Sequence, residues 1–174
     1  MSTEPPTPIV HVERVLPQQA DLTVGEVDAI LEAAYLATAA DGVLSPEEHH
    51  AFRSVASSLR RVAAGKAGAA KGIPDDELEA LFARYATRSD QASRVERVSA
   101  MRARLGRTPV RELAYKIAFA MSLCDLDANE EEAAYDDELV EAFGIEDERA
   151  DTLAAEVYAA LDADLDRDSE APPK

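Results

Sequence analysis

Two stretches of this sequence place acidic side chains at a spacing that could hold a hard metal ion. Asp41-Gly42-Val43-Leu44-Ser45-Pro46-Glu47-Glu48 follows one alanine-rich apolar run, and Asp125-Leu126-Asp127-Ala128-Asn129-Glu130-Glu131-Glu132 follows another. In each, an aspartate closes the apolar run, a Ser or Asn comes four residues later, and a Glu pair follows at six and seven. The two aspartates are 84 residues apart, and in that register Ala34 meets Ala118, Tyr35 meets Phe119 and Val55 meets Leu139. Self-similarity at a fixed offset marks a repeated unit, here helix, acidic loop, helix. If the two units pack as a pseudo-twofold pair, Asp41, Glu48, Asp125 and Glu132 converge, with Asp127 as an additional ligand. Oxygen donors of this kind suit Ca2+, Mg2+ or Mn2+ rather than a soft metal.

A structural role competes for the same glutamates. Ser45-x-x-Glu48 and Asn129-x-x-Glu132 have the spacing of a capping box, in which the glutamate reaches back to the backbone N–H of the capping residue. Glu47 and Glu131 then sit in first turns, near the positive end of the helix dipole. The aspartates resist this account. Asp41 and Asp125 both fall at the C-terminal ends of expected helices, where the dipole opposes a negative charge by roughly 0.3–1 kcal/mol. A local rule broken twice at equivalent positions is the mark of a site.

Other chemistry is thin. Asp125-x-Asp127-x-Asn129 begins like a calcium-binding EF-hand loop, but Glu130 occupies its glycine turn and Asp136 its twelfth position. Glu47-x-x-His50 has the spacing of a di-iron bundle, but the second unit offers no matching histidine. His49 and His50 read as exposed helix residues. Cys124 sits beside Asp125, which raises rather than lowers a thiol pKa, so it reads as a small buried hydrophobe. Gly65 to Gly72 lacks the spacing of a phosphate-binding loop. Nothing resembles a Ser/His/Asp constellation, and no enzymatic function is expected.

Helical periodicity accounts for the elements that would position these residues. Thr23 caps a first helix carrying Val27, Ile30, Leu31, Ala34 and Thr38, closed at Asp41-Gly42. Ser45 caps a second, with Pro46 at its first position and Phe52, Val55, Ala56, Leu59 and Val62 inward. Pro74 opens a third with Leu78, Leu81, Phe82 and Tyr85 inward. A fourth runs from about Asp90 to Leu105 with Val95, Val98, Met101 and Leu105 inward and arginines on its wet side. Thr108-Pro109 starts a fifth through Val110, Leu113, Ala114, Ile117 and Met121. Asn129 caps a sixth with Leu139 and Phe143, stopped by Gly144. The seventh spans about Asp147 to Leu161 through Leu153, Ala154, Val157 and Tyr158. The expected fold is all-α: a single bundle of about seven helices over residues 22–162. A flexible proline-rich arm over 1–21 precedes it, of which Ile9–Leu16 could dock on the core, and a disordered acidic tail over 163–174 follows.

Of the 174 residues, 47% are hydrophobic, enough for a real core, and there is no Trp. The lone cysteine permits no intrachain disulfide and points to a reducing, cytoplasmic setting. Met1 to Pro8 lacks the basic start and apolar core of a secretory signal. No apolar run approaches the ~20 residues of a membrane span. The net charge of −17 is unevenly spread: residues 1–52 carry −8, residues 53–116 carry +7 and residues 125–174 carry −16. Such polarity bears on association rather than on fold. The arginines at 94, 97, 102, 104, 107 and 111 could touch an anionic partner. Without interleaved aromatics, and in a chain this acidic, nucleic acid is not the expected partner.

These residues resemble the tellurite-resistance TerB-like family, whose members pair an alanine-rich helix ending in A-x-A-D-G with a downstream S-x-x-E and carry a second D-x-x-x-x-x-x-E unit. Ala37-Thr38-Ala39-Ala40-Asp41-Gly42 through Glu48 matches the first closely; Asp125 through Glu132 keeps the aspartate and glutamate but has Leu126 where the family favours glycine. The resemblance covers roughly Val24 to Leu161. It implies a compact bundle of about seven helices acting as a non-enzymatic, cytoplasmic bacterial module in tellurite and chemical stress response. It also implies membrane-associated protein partners and divalent-metal binding through the acidic loops. The alternative is a metal-independent interaction domain that docks a protein through its bipolar charged surface.

Overall fold

Three helices of this chain begin with the same reciprocal pair of hydrogen bonds. Thr23 Oγ1 accepts from the Glu26 N–H (3.2 Å) while the Thr23 N–H donates to Glu26 Oε2 (2.8 Å). The pairs Ser45/Glu48 and Ser93/Glu96 repeat the arrangement. Each box satisfies two of the N–H groups that a helix start leaves without intrahelical partners. In the computed structural model, the residues described are 11–18, 20–38, 44–64, 72–124 and 130–162, excepting the side chains of 64, 131 and 132. A short 3-10 helix at Val12–Val15 precedes α1 (Val24–Thr38), α2 (Pro46–Ala64), α3 (Asp75–Gln91), α4 (Arg94–Arg104), α5 (Thr108–Ser122), α6 (Glu130–Phe143) and α7 (Asp147–Asp162). No strand occurs among the described residues, and none of their helices is long and apolar enough to cross a membrane.

Helices α1 and α5 form the axis of the bundle. Arg107, one residue before α5, donates to both Glu26 oxygens and to the Asp21 carbonyl, so the two helices begin side by side. They also share the most extensive interface among the described elements. Helices joined at their starts can keep such contact only by running in the same direction. Small residues on both, Ala29, Ala33 and Ala37 facing a helix with Ala114 and Ala118, are all buried, which lets the backbones approach closely. Helix α2 packs on α1 and α6 on α5, while α4 bridges α1 and α6. Tyr135 of α6 is fully enclosed and donates its hydroxyl to the Ala33 carbonyl of α1 (3.0 Å). That bond satisfies a phenol whose burial would otherwise cost about 1–3 kcal/mol.

The inward positions expected for α2, α3 and α5 are buried, with Phe82 partly so. Gly144 stops α6 with φ +64, the left-handed conformation that glycine takes without a Cβ penalty, and Ile145 N–H bonds back to the Val140 carbonyl. Within 9–16, Val12 and Val15 are buried against α2, α5 and α7, so this part of the expected arm belongs to the core. Residues 1–10 and 163–174 lie outside the described residues.

Helix α4 departs from its expected face and start. Helix α3 continues to Gln91, and the Ser93 capping box starts α4 at Arg94, four residues later than periodicity indicates. Val95 is 67% exposed, whereas Arg97, expected on the wet side, is buried. A helix of eleven residues with four arginines spread around it has no single polar face that keeps them all in water. Arg97 turns inward because α1 supplies carboxylates to meet it. Tyr158 of α7 is likewise half-exposed, resting edge-on against Phe119, while Ala150 turns inward.

Candidate functional site

Of the five residues proposed as cation ligands, only the Glu48 side chain is described. Asp41, Asp125 and Asp127 lie outside the described residues, and Glu132 is in α6 with its side chain outside them. Glu48 is buried, and its Oε2 accepts from the Ser45 N–H at 2.7 Å while Ser45 Oγ accepts from the Glu48 N–H at 3.2 Å. The capping role read from the spacing is therefore present. It does not preclude a second role, since a carboxylate offers about four lone-pair sites. Among the described residues no group of three or more His, Cys, Asp or Glu is arranged to hold a metal. His49 packs its ring against Phe82, 5.2 Å between centroids. Cys124 is buried and its thiol faces the Ala120 carbonyl, in keeping with a small hydrophobe.

The densest arrangement of charge lies elsewhere, where α1 meets α3 and α4. Asp28 and Glu32, one turn apart on α1, are surrounded by four arginines. Arg104 bridges both carboxylates, Nη1 to Asp28 Oδ2 at 2.7 Å and Nη2 to Glu32 Oε2 at 2.6 Å. Arg88 Nη1 also reaches both, at 3.3 and 2.5 Å. Arg84 closes on Asp28 Oδ1, and Arg97 Nε donates to Glu32 Oε1 at 3.1 Å. The Tyr85 hydroxyl adds a bond to Asp28 Oδ1 at 3.0 Å, with the Arg84 and Arg88 guanidiniums over its ring. Charge-assisted bonds of this kind are about twice as strong as neutral ones.

The electrostatics follow from this packing. Burial acts to raise the Asp28 carboxyl, but the Tyr85 hydrogen bond and the Arg84 and Arg88 charges outweigh it and hold it below its usual value. Burial, then the neighbouring Asp28 charge, pushes the Tyr85 phenol far up. For Glu26 the Arg107 hydrogen bond dominates and lowers the carboxyl. Asp28 is thus held ionised and Tyr85 protonated across the physiological range. Neither is poised to exchange a proton near neutrality.

This cluster went unnoticed in the sequence, although a signal for it exists. Asp28 and Glu32 are charged residues at i and i+4 on a helix that is otherwise apolar from Ala29 to Ala37, and such a helix has little wet face to offer. Most of the middle arginines, read from the sequence as able to touch an anionic partner, also pair within the chain. Arg94 pairs with Glu138, Arg97 with Glu32, Arg104 with Asp28 and Glu32, and Arg107 with Glu26. Arg102 and Arg111 donate to the Leu105 carbonyl. Much of the +7 of the middle segment is spent against the chain's own α1 and α6.

Beside the cluster, Asp28 and Arg84 also line a groove of about 760 Å3 between α1, α2 and α3. Its floor includes Val27, Leu31, Ala80 and Leu81, and the Arg60–Glu77 pair lies on its margin. Comparison with known proteins finds no matching family model, no matching curated protein and no matching solved structure.

Proposed function

We propose that this protein is a non-enzymatic, TerB-like helical module that binds a divalent cation, Ca2+, Mg2+ or Mn2+, through Asp41, Glu48, Asp125, Asp127 and Glu132. It would serve as a cytoplasmic adaptor for membrane-associated proteins in tellurite or chemical stress response. The observation that carries the reading is the shared direction of α1 and α5, tied at their starts by Arg107 and Glu26. Two helices that run the same way enter their following loops from one end of the bundle, as convergence of two acidic loops requires. The repeat register supports it: at the 84-residue offset Ile30 and Ala114, Ala33 and Ile117, Ala37 and Met121, Val55 and Leu139, and Leu59 and Phe143 are all buried pairs. Family membership rests on the resemblance of the motifs.

Thermal unfolding with Ca2+, Mg2+ or Mn2+ against chelator tests the reading. An ion at ~100 times its dissociation constant adds about 2.7 kcal/mol. Asp41→Asn and Asp125→Asn should abolish that gain and leave the metal-free protein as stable or slightly more so. No metal-dependent shift at millimolar concentrations would overturn it. The reading favoured in that event is a metal-independent protein-docking domain, supported by the capping bonds that Glu48 already makes.

A further inference from the structure

We propose that the outer face of the Asp28–Glu32 arginine cluster is an oxyanion site that takes a phosphate group. Four guanidiniums, those of Arg84, Arg88, Arg97 and Arg104, meet two carboxylates, and among the described residues none of the four pairs with any other acid. Among the described residues the four guanidiniums exceed the two carboxylates they pair with by two charges. The acceptors are also used up. Asp28 takes Arg84 and Tyr85 on Oδ1 and Arg88 and Arg104 on Oδ2, filling the roughly four lone-pair positions of a carboxylate. Glu32 takes three guanidinium bonds. Each arginine carries about five N–H donors, so about twenty donors face about eight carboxylate acceptor positions. The most buried guanidinium shows the deficit directly: Arg97 Nη2 is enclosed and has no hydrogen-bond partner among the described residues.

The unused donors of the other three point to a ligand outside the protein. Arg84, Arg88 and Arg104 have side chains 48%, 34% and 31% exposed and converge on one carboxylate. A phosphate carries about −1.5 to −2 at pH 7 and three or more acceptor oxygens, which matches an excess of two charges and several planar donor forks. Arg84 also borders the groove between α1, α2 and α3, so the site can be approached from solvent. The phosphate can be free or a monoester. An ester's apolar substituent would face the Val27, Leu31 and Leu81 floor beside Arg84.

The test is calorimetric titration of the full chain with inorganic phosphate and with phenyl phosphate, against sodium chloride at matched ionic strength. Saturable phosphate binding absent with chloride is expected. Tighter binding of phenyl phosphate assigns the ester, and equal binding assigns free phosphate. Arg84→Gln should weaken binding about tenfold or more, as loss of one charge-assisted bond implies. Arg84→Lys, which keeps the charge and loses the fork, should weaken it less. Arg53→Gln, in a surface pair with Asp75, should not change it. Phosphate heats no different from those of chloride, or unchanged affinity in both Arg84 variants with the fold intact by circular dichroism, would overturn the proposal.

Discussion

Glu32 and Arg97 are enclosed together: Arg97 Nε lies 3.1 Å from Glu32 Oε1, and each side chain is only 3% exposed. The pair joins α1 to α4 across 65 residues of chain. Desolvating both ions is costly, and it is offset because Glu32 also accepts from Arg88 and Arg104 while Arg97 Nη1 donates to Ser89. Breaking such a pair from one side strands a charge. Glu32→Ala and Arg97→Ala should therefore each lower stability by about 3–5 kcal/mol. Glu32→Leu with Arg97→Met should lose much less than the sum of the single changes. A urea-unfolding double-mutant cycle measures the coupling, and additive losses would show that the two act independently.

The Ser45/Glu48 box separates a capping role from a ligand role. Ser45→Ala should cost about 1 kcal/mol. Glu48→Gln should cost little, because the glutamine oxygen can accept the same Ser45 N–H bond. If Glu48 is also a cation ligand, that variant should weaken metal-dependent stabilisation at nearly constant apo stability. Thermal melts with metal and with chelator distinguish the two, and unaltered metal response in Glu48→Gln would confine the residue to capping.

Stability should fall toward both extremes of pH for different reasons. Asp28 and Glu26 have carboxyls lowered in the folded state, so their contribution is present above the unfolded values of about 4. It is lost as pH drops through the lower folded values, where the unfolded chain binds more protons. The phenols behave in the opposite sense. Burial first, then Asp136 and other nearby aspartates, push Tyr115 up to about 12, and burial first likewise raises Tyr85 and Tyr135. Their contribution is complete below about pH 10 and is lost above it as the unfolded phenols ionise. A plateau of unfolding free energy between about pH 5 and 9 is expected. Replacing Tyr135 with Phe should remove part of the alkaline loss while costing the bond to the Ala33 carbonyl.

The segment before α1 packs into the core through Val12, Val15 and Leu22. Val12 and Val15 are buried against α2, α5 and α7, so Val12→Ala and Val15→Ala should each cost about 1–3 kcal/mol. Denaturant midpoints measure this. Changes below a few tenths of a kcal/mol would mean that the 3-10 helix does not stabilise the bundle.

Helix positions were written locally in this chain. Ser45-Pro46-x-Glu48, Thr108-Pro109 and Phe143-Gly144 set their boundaries through bonds within a few residues of the chain, and the 3.6-residue apolar spacing names Phe52, Leu59, Leu78, Ile117 and Leu139 as core. Both signals need only neighbours in sequence. The fate of the charges was not local. Whether an arginine on α4 faces water or a carboxylate depends on what α1 presents across more than sixty residues, and periodicity within α4 carries no trace of it. Val95 and Arg97 therefore changed places relative to expectation, and the acidic first segment and basic middle segment, distinct along the sequence, became partners in space. An ion pair is decided by distance and desolvation, and only the packing of α1 against α3 and α4 fixes either.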